Sequence, residues 1–118
     1  MLSSSELIEQ MMTKANKSKD ALLRLRNWNR VIRWVVEGDQ FFWKTDTGMI
    51  TVGPPQEAQI TITCSKETLK RIVHRALPFF LALWATGDLE FKGSFSDAHR
   101  LGYIFLSKEN DKRKRRVV

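Results

Sequence analysis

The spacing of hydrophobic positions changes repeatedly along this chain, and each change marks an element. Ser3 and Glu6 stand at the separation of a capping box, and Leu7, Ile8, Met11, Met12 and Ala15 follow at helical intervals. A helix over about 5–15 is predicted. After a polar interruption, Ser18 is placed to cap a second short helix whose apolar side holds Ala21, Leu22, Leu25 and Trp28. From Asn29 the period falls to two, with Ile32, Trp34 and Val36 on one side of a strand and Val31, Arg33 and Val35 on the other. Gly38-Asp39 signals a turn, Phe41, Phe42 and Trp43 resume a strand, and Thr47-Gly48 turns the chain again into a short strand at 49–52. Gly53-Pro54-Pro55 cannot continue a ladder. "AQITITC" then alternates strictly, with Ile60 and Ile62 inward. Short strands joined by tight turns predict an antiparallel meander.

Ser65 opens a sharply amphipathic helix. Leu69, Ile72, Val73, Ala76 and Leu77 share one arc, opposite Lys66, Glu67, Lys70, Arg71, His74 and Arg75. Pro78 kinks this helix or starts a new one. The block "LPFFLALWA", 77–85, has no charged side chain. It reads as a helix apolar on every side, stopped at Gly87, and such a helix needs an apolar neighbour on each side. A strand at 88–92 alternates Asp88, Leu89, Glu90, Phe91 and Lys92. Ser94 or Ser96 then caps a last helix with Ala98, Leu101, Ile104 and Phe105 inward. The order is α-α-β-β-β-β-α-α-β-α. It predicts an α+β domain with a mainly antiparallel sheet of about five strands and helices packed on one face.

Composition adds scale and charge. The 118 residues suit one domain, and four Trp and seven Phe supply large apolar areas to cover. The pattern divides the chain into N-terminal helices at 1–28, a domain at 29–106 and a basic tail at 107–118. That last stretch holds six Lys/Arg and two acidic residues, so it carries +4 of the net +7. Its KRKRR run reads as a solvated, disordered end, with transient attraction to an anionic membrane surface as its other use. The lone Cys64 excludes an internal disulfide and fits a buried hydrophobe in a reducing compartment. No secretory pattern opens the chain, and no stretch approaches the roughly 20 apolar residues of a membrane span. A soluble, cytoplasmic protein is the expectation.

Catalytic chemistry finds little support. The chain has two histidines, and it lacks CxxC, HExxH, GxxxxGK and GxSxG arrangements. "SDAH" at 96–99 is explained by a capping serine with an acidic first-turn residue. No enzyme activity, metal or cofactor is expected. Nucleic acid is not an expected partner, because most aromatics fall in apolar runs that read as burial rather than as stacking platforms.

The region "ITITCSKETLKRI … GDLEFKGSFSDAHRLGYIF" resembles the sterol carrier protein 2 (SCP-2) lipid-transfer domain family. The likeness rests on an alternating Ile/Thr strand, a capped helix, a second apolar helix and a glycine-bounded strand with Gly87, Leu89, Phe91 and Gly93. A following helix with Ala98 and Leu101 inside completes it. Upstream, "RVIRWVV" and "QFFWKTDTGMITVG" match the family's first strands in length and order, so the resemblance spans about 30–106. Two features depart from it: "VHRALP" stands where a glycine often separates the middle helices, and no Ser-Lys-Leu address closes the chain.

The resemblance implies a non-catalytic module that binds, presents or transfers lipids or other hydrophobic small molecules in an apolar tunnel between sheet and helices. The wall residues expected on that basis are Phe79, Phe80, Leu83 and Trp84 from the apolar helix, and Trp34, Phe42, Ile62 and Phe91 from the sheet. Leu101, Ile104 and Phe105 would join them from the last helix, with a polar headgroup beside Arg71 or Arg75. The alternative is an interaction module, a homodimer or other protein–protein contact, that uses the apolar helix at 79–85 as its interface and holds no ligand.

Overall fold

The structure is a computed structural model and describes residues 2–106. Four α-helices, α1 (Ser4–Asn16), α2 (Lys19–Leu25), α3 (Lys66–Val73) and α4 (Phe95–Leu106), accompany five strands. The strands are β1 (Val31–Val36), β2 (Asp39–Lys44), β3 (Thr51–Val52), β4 (Ile60–Cys64) and β5 (Glu90–Lys92). The predicted capping residues start their helices. Ser3 and Glu6 form the reciprocal capping box of α1, and the hydroxyls of Ser18 and Ser65 accept from Ala21 N–H and Thr68 N–H. Ser94, not Ser96, caps α4, accepting from the backbone N–H of Asp97 at 3.0 Å.

The sheet order is β3-β2-β1-β4-β5. β1, β2 and β3 form the expected meander, but β4 joins the free edge of β1 in parallel, and β5 then pairs antiparallel with β4. The meander prediction therefore fails at β4. A loop of seven residues, 53–59, carries the chain back across the sheet before β4 starts, and that crossing sets the parallel direction. Glu37 and Gly38, both at positive φ, make the tight β1–β2 turn that fixes the antiparallel register.

One face of the sheet is the core. Ile32, Trp34 and Val36 of β1 lie beside Ile60, Ile62 and Cys64 of β4, and all six are buried. Trp43 joins them from β2. Leu7, Ile8 and Met11 of α1 and Leu69, Ile72 and Val73 of α3 complete the apolar layer, with Leu101 and Ile104 of α4. Polar bonds tie α1 down at its C-terminal end. Asn16 bonds both the N–H and the C=O of Ile50, at 2.9 and 2.8 Å, and Lys14 Nζ donates to the C=O of Val73 at 2.8 Å.

The middle helices differ from the predicted pair. α3 ends at Val73, and Arg75 sits at φ +62. The N–H groups of Ala76 and Leu77 both turn back to the C=O of Arg71. Ala76, expected on the inner arc, is consequently exposed, while Leu77 remains buried. The apolar block then forms a wide π-helical turn, Leu81–Ala85, closed by a bond from Thr86 N–H to the C=O of Leu81 at 2.9 Å. Gly87 follows at φ +72, the left-handed stop expected there. The turn is not buried on every side: only Ala82 within it is buried, while Leu81 and Trp84 are about half exposed. It lies along α4 rather than between two layers, so one flank has no apolar neighbour among the described residues.

Candidate ligand-binding site

The expected wall residues separate into two aromatic groups. The inner group lies between sheet and helices. Trp34 and Trp43 meet edge to face with ring centroids 5.2 Å apart, and Phe105 of α4 closes on both at 6.1 and 6.2 Å. Phe79 continues the chain of rings at 5.1 Å from Phe105. Ile62, Leu101 and Ile104 are buried around them, and Leu83, Phe91 and Phe105 are half-buried against the same core. Of the residues expected here, Trp34, Ile62, Phe79, Leu101, Ile104 and Phe105 therefore converge.

Phe80 and Trp84 belong to a second, outer group. They stack at 5.1 Å and contact Phe95 and His99 of α4. Phe42 faces away from the inner group altogether. The β1–β2 register sets it opposite Arg33, whereas Phe41 is opposite Trp34. Alternation then puts Phe41 and Trp43, not Phe42, on the helix side. Leu89, buried and one residue outside β5, supplies apolar surface that the expected set omitted.

The inner space is narrow. A void of about 20 Å³, water-sized, remains between α1, α3 and α4, lined by Met11, Lys14, Ile72, Arg75, Ile104 and Phe105. Arg75 lines this void together with Phe105, while Arg71 is exposed on α3.

A larger space opens where no sequence pattern announced one. Between α1 and the β2–β3 edge runs a groove of about 610 Å³. Ile8 and Met12 line it from the helix, Phe41, Phe42, Trp43 and Val52 from the strands, with Ser5, Glu9 and Gln40 among its polar groups. The Asn16–Ile50 bonds close to β3 hold α1 at this distance from the strand edge. Trp43 is shared: it lines the groove and also packs against Trp34 and Phe105 inside. The alternation of β2 and the helical stripe Ile8–Met12 were both visible in sequence, but nothing there said that the two would stand apart.

Among the described residues three buried side-chain nitrogens have no hydrogen-bond partner: Arg33 Nε and two indole nitrogens. The indole Nε1 atoms of Trp34 and Trp43 are buried and have no hydrogen-bond partner among the described residues. A third indole is satisfied: Trp28 Nε1 donates to Asp97 Oδ1 at 3.0 Å, while Arg30 Nε donates to Asp97 Oδ2 at 2.9 Å. Burial works against the Asp97 carboxylate, but the bonds from Arg30 and Trp28 and the Arg30 charge outweigh it and hold its pKa below the ordinary value. Burial, with the Glu37 charge adding to it, pushes the Cys64 thiol up to about 12. No cluster of metal-ligating side chains occurs among the described residues, and no helix there is long and apolar enough to cross a membrane.

A five-stranded sheet with helices on one face, and with Trp43 shared between an aromatic interior and a surface groove, defines an α+β domain. The SCP-2 sterol transfer family model matches residues 8–105, and the chain belongs to that family. Among solved structures it is similar to the palmitated SCP2L2 of Aedes aegypti, with a TM-score of 0.69 at 17 % identity over 93 % of this chain and 100 % of that one. The Aedes aegypti SCP-2 complex with C16 fatty acid (palmitate) gives 0.61 at 19 % identity over 92 % and 100 %. The sec-alkylsulfatase Pisa1 from Pseudomonas sp. gives 0.60 at 21 % identity, over 80 % of this chain but 15 % of that much longer one. No curated protein matches the sequence.

Proposed function

We propose that this chain binds lipids or other hydrophobic small molecules without chemical conversion, and presents or transfers them. The ligand's apolar part lies along the α1–β2–β3 groove, and its polar end reaches inward past Trp43 toward Trp34. The observation that carries this reading is the Trp34–Trp43 pair. Two indole donors stay unpaired inside an apolar cluster that abuts a groove of about 610 Å³. That volume falls within the range of small-molecule sites, roughly 300–1,000 Å³.

A buried donor left unpaired costs about 1–3 kcal/mol. A ligand oxygen placed between the indoles recovers that loss, which favours lipids carrying a carboxylate, hydroxyl or carbonyl over plain hydrocarbons. Burying the tail adds roughly 0.8 kcal/mol per CH₂, offset by the freedom lost on binding. The palmitate held by the structurally similar Aedes aegypti protein belongs to this ligand class.

The test is organic extraction of the purified chain with mass spectrometry, followed by palmitate titration of the delipidated chain and tryptophan emission as readout. Reproducible lipid at one molecule per chain, or saturable quenching, is expected. A lipid-free chain whose emission ignores palmitate refutes the proposal.

A further inference from the structure

The outer aromatic group is a surface feature separate from the groove. Phe95, His99 and Tyr103 recur every fourth residue along one flank of α4. Trp84 stacks on Phe95 at 5.6 Å and His99 on Tyr103 at 5.7 Å, with Phe80 packed beneath against both His99 and Tyr103. This flank is open. Phe95 is 70 % and Trp84 50 % exposed, and Leu81, Tyr103 and Leu106 extend the same apolar surface. Scattered exposed aromatics are ordinary; a contiguous, mutually stacked set of this size marks a contact surface.

Two cations stand at its edge. The Arg24 guanidinium lies over the Tyr103 ring at 5.2 Å, and Arg100 is held beside it by a 2.8 Å bond to the C=O of Arg24. Of the carboxylates nearby, Asp97 is paired with Arg30 and accepts from Trp28, while Asp88 accepts from the neutral Thr86 hydroxyl and keeps its charge. α4 ends at Leu106, on the rim of the patch, and the next twelve residues carry six Lys/Arg against two acids.

We infer that this flank of α4, with Trp84 and Leu81, docks the protein on an anionic phospholipid surface. Tryptophan, tyrosine and phenylalanine partition to the water–bilayer interface, with apolar ring and polar edge each in its preferred medium. Cations at the rim are drawn to the negative headgroups. A homodimer through the same flank is disfavoured, because a two-fold contact sets the patch against its own copy and gathers a second set of Arg24 and Arg100 cations at one interface. The docking flank is independent of whether the groove holds a lipid.

The test uses the full chain with vesicles of phosphatidylcholine alone or mixed with phosphatidylglycerol, read by co-sedimentation and by quenching from brominated lipid. Trp28, Trp34 and Trp43 are buried, which leaves Trp84 as the surface reporter. Binding to the mixed vesicles is expected, weakened by high salt and reduced about tenfold or more by Trp84→Ser or Phe95→Ser. Met49→Ser, an exposed apolar residue outside both the flank and the groove, should leave it unchanged. Absence of vesicle binding, or binding indifferent to Trp84→Ser and Phe95→Ser in folded variants, overturns the inference. So does a wild-type dimer in solution that Trp84→Ser converts to monomer.

Discussion

The ring of Phe80 lies directly on the backbone of Gly102. A Cβ at that glycine would stand 2.1 Å from Phe80 Cε1 and Cζ, well inside contact distance. This one close approach seats the π-helical turn on α4 and thereby sets where the outer aromatic group stands.

Gly102→Ala should therefore expel the Phe80 ring. Overpacking of this kind costs about 1–3 kcal/mol, measurable by urea unfolding. Phe80→Ala introduced into the Gly102→Ala chain should return part of that loss. A double variant no more stable than simple addition predicts would show that the two residues are not coupled.

Asp97 joins α4 to the segment before β1 through Trp28 and Arg30. Asp97→Asn keeps the shape, removes the charge and should cost about 1–3 kcal/mol at neutral pH. The Asp97 pKa is lowered in the folded chain, so its contribution is present above the unfolded value of about 3.9 and fades as pH falls through the folded value. The stability gap between wild type and Asp97→Asn should accordingly narrow in acid. A gap independent of pH would contradict the carboxylate's role.

Trp43→Phe removes one unpaired indole donor but keeps an aromatic ring in the groove wall. Little net change in stability is expected, since relief of the orphaned donor offsets the lost volume. Palmitate affinity should fall about tenfold, the value of one hydrogen bond to a charged group. Binding of a hydrocarbon of equal length should be nearly unaffected. Equal losses for both ligands would remove the indole from headgroup recognition.

Cys64, buried and with its thiol pushed up to about 12, is protonated at any ordinary pH. A thiol-reactive disulfide reagent at pH 8 should label it only as fast as the fold opens. Labelling at the rate of a free thiol would show that β4 is exposed on the reaction timescale.

Local patterns in the sequence carried much of this fold. The serine caps, the period-two runs of β1 and β4 and the glycine stop at 87 are decided by near neighbours, and each formed as its residues dictate. What failed to be legible depends on distant pairing. Phe42 and Phe41 look equivalent in "QFFWK", and only the register opposite Arg33 and Trp34 assigns them to different faces. Asp97 read as an ordinary first-turn acid because its partners lie 67 and 69 residues away.

The apolar block at 77–85 shows the division most clearly. Its composition alone excluded a membrane span and required apolar neighbours, since hydrocarbon surface left in water is unfavourable in proportion to its area. Which neighbours it found was a tertiary matter. Phe79 turned inward to Phe105, Phe80 settled on Gly102, and Trp84 was left stacked on Phe95 at the surface. Periodicity tells a side chain which face of its own element it occupies. Only the packing of elements far apart in the chain decides whether that face meets the core, a groove or open solvent.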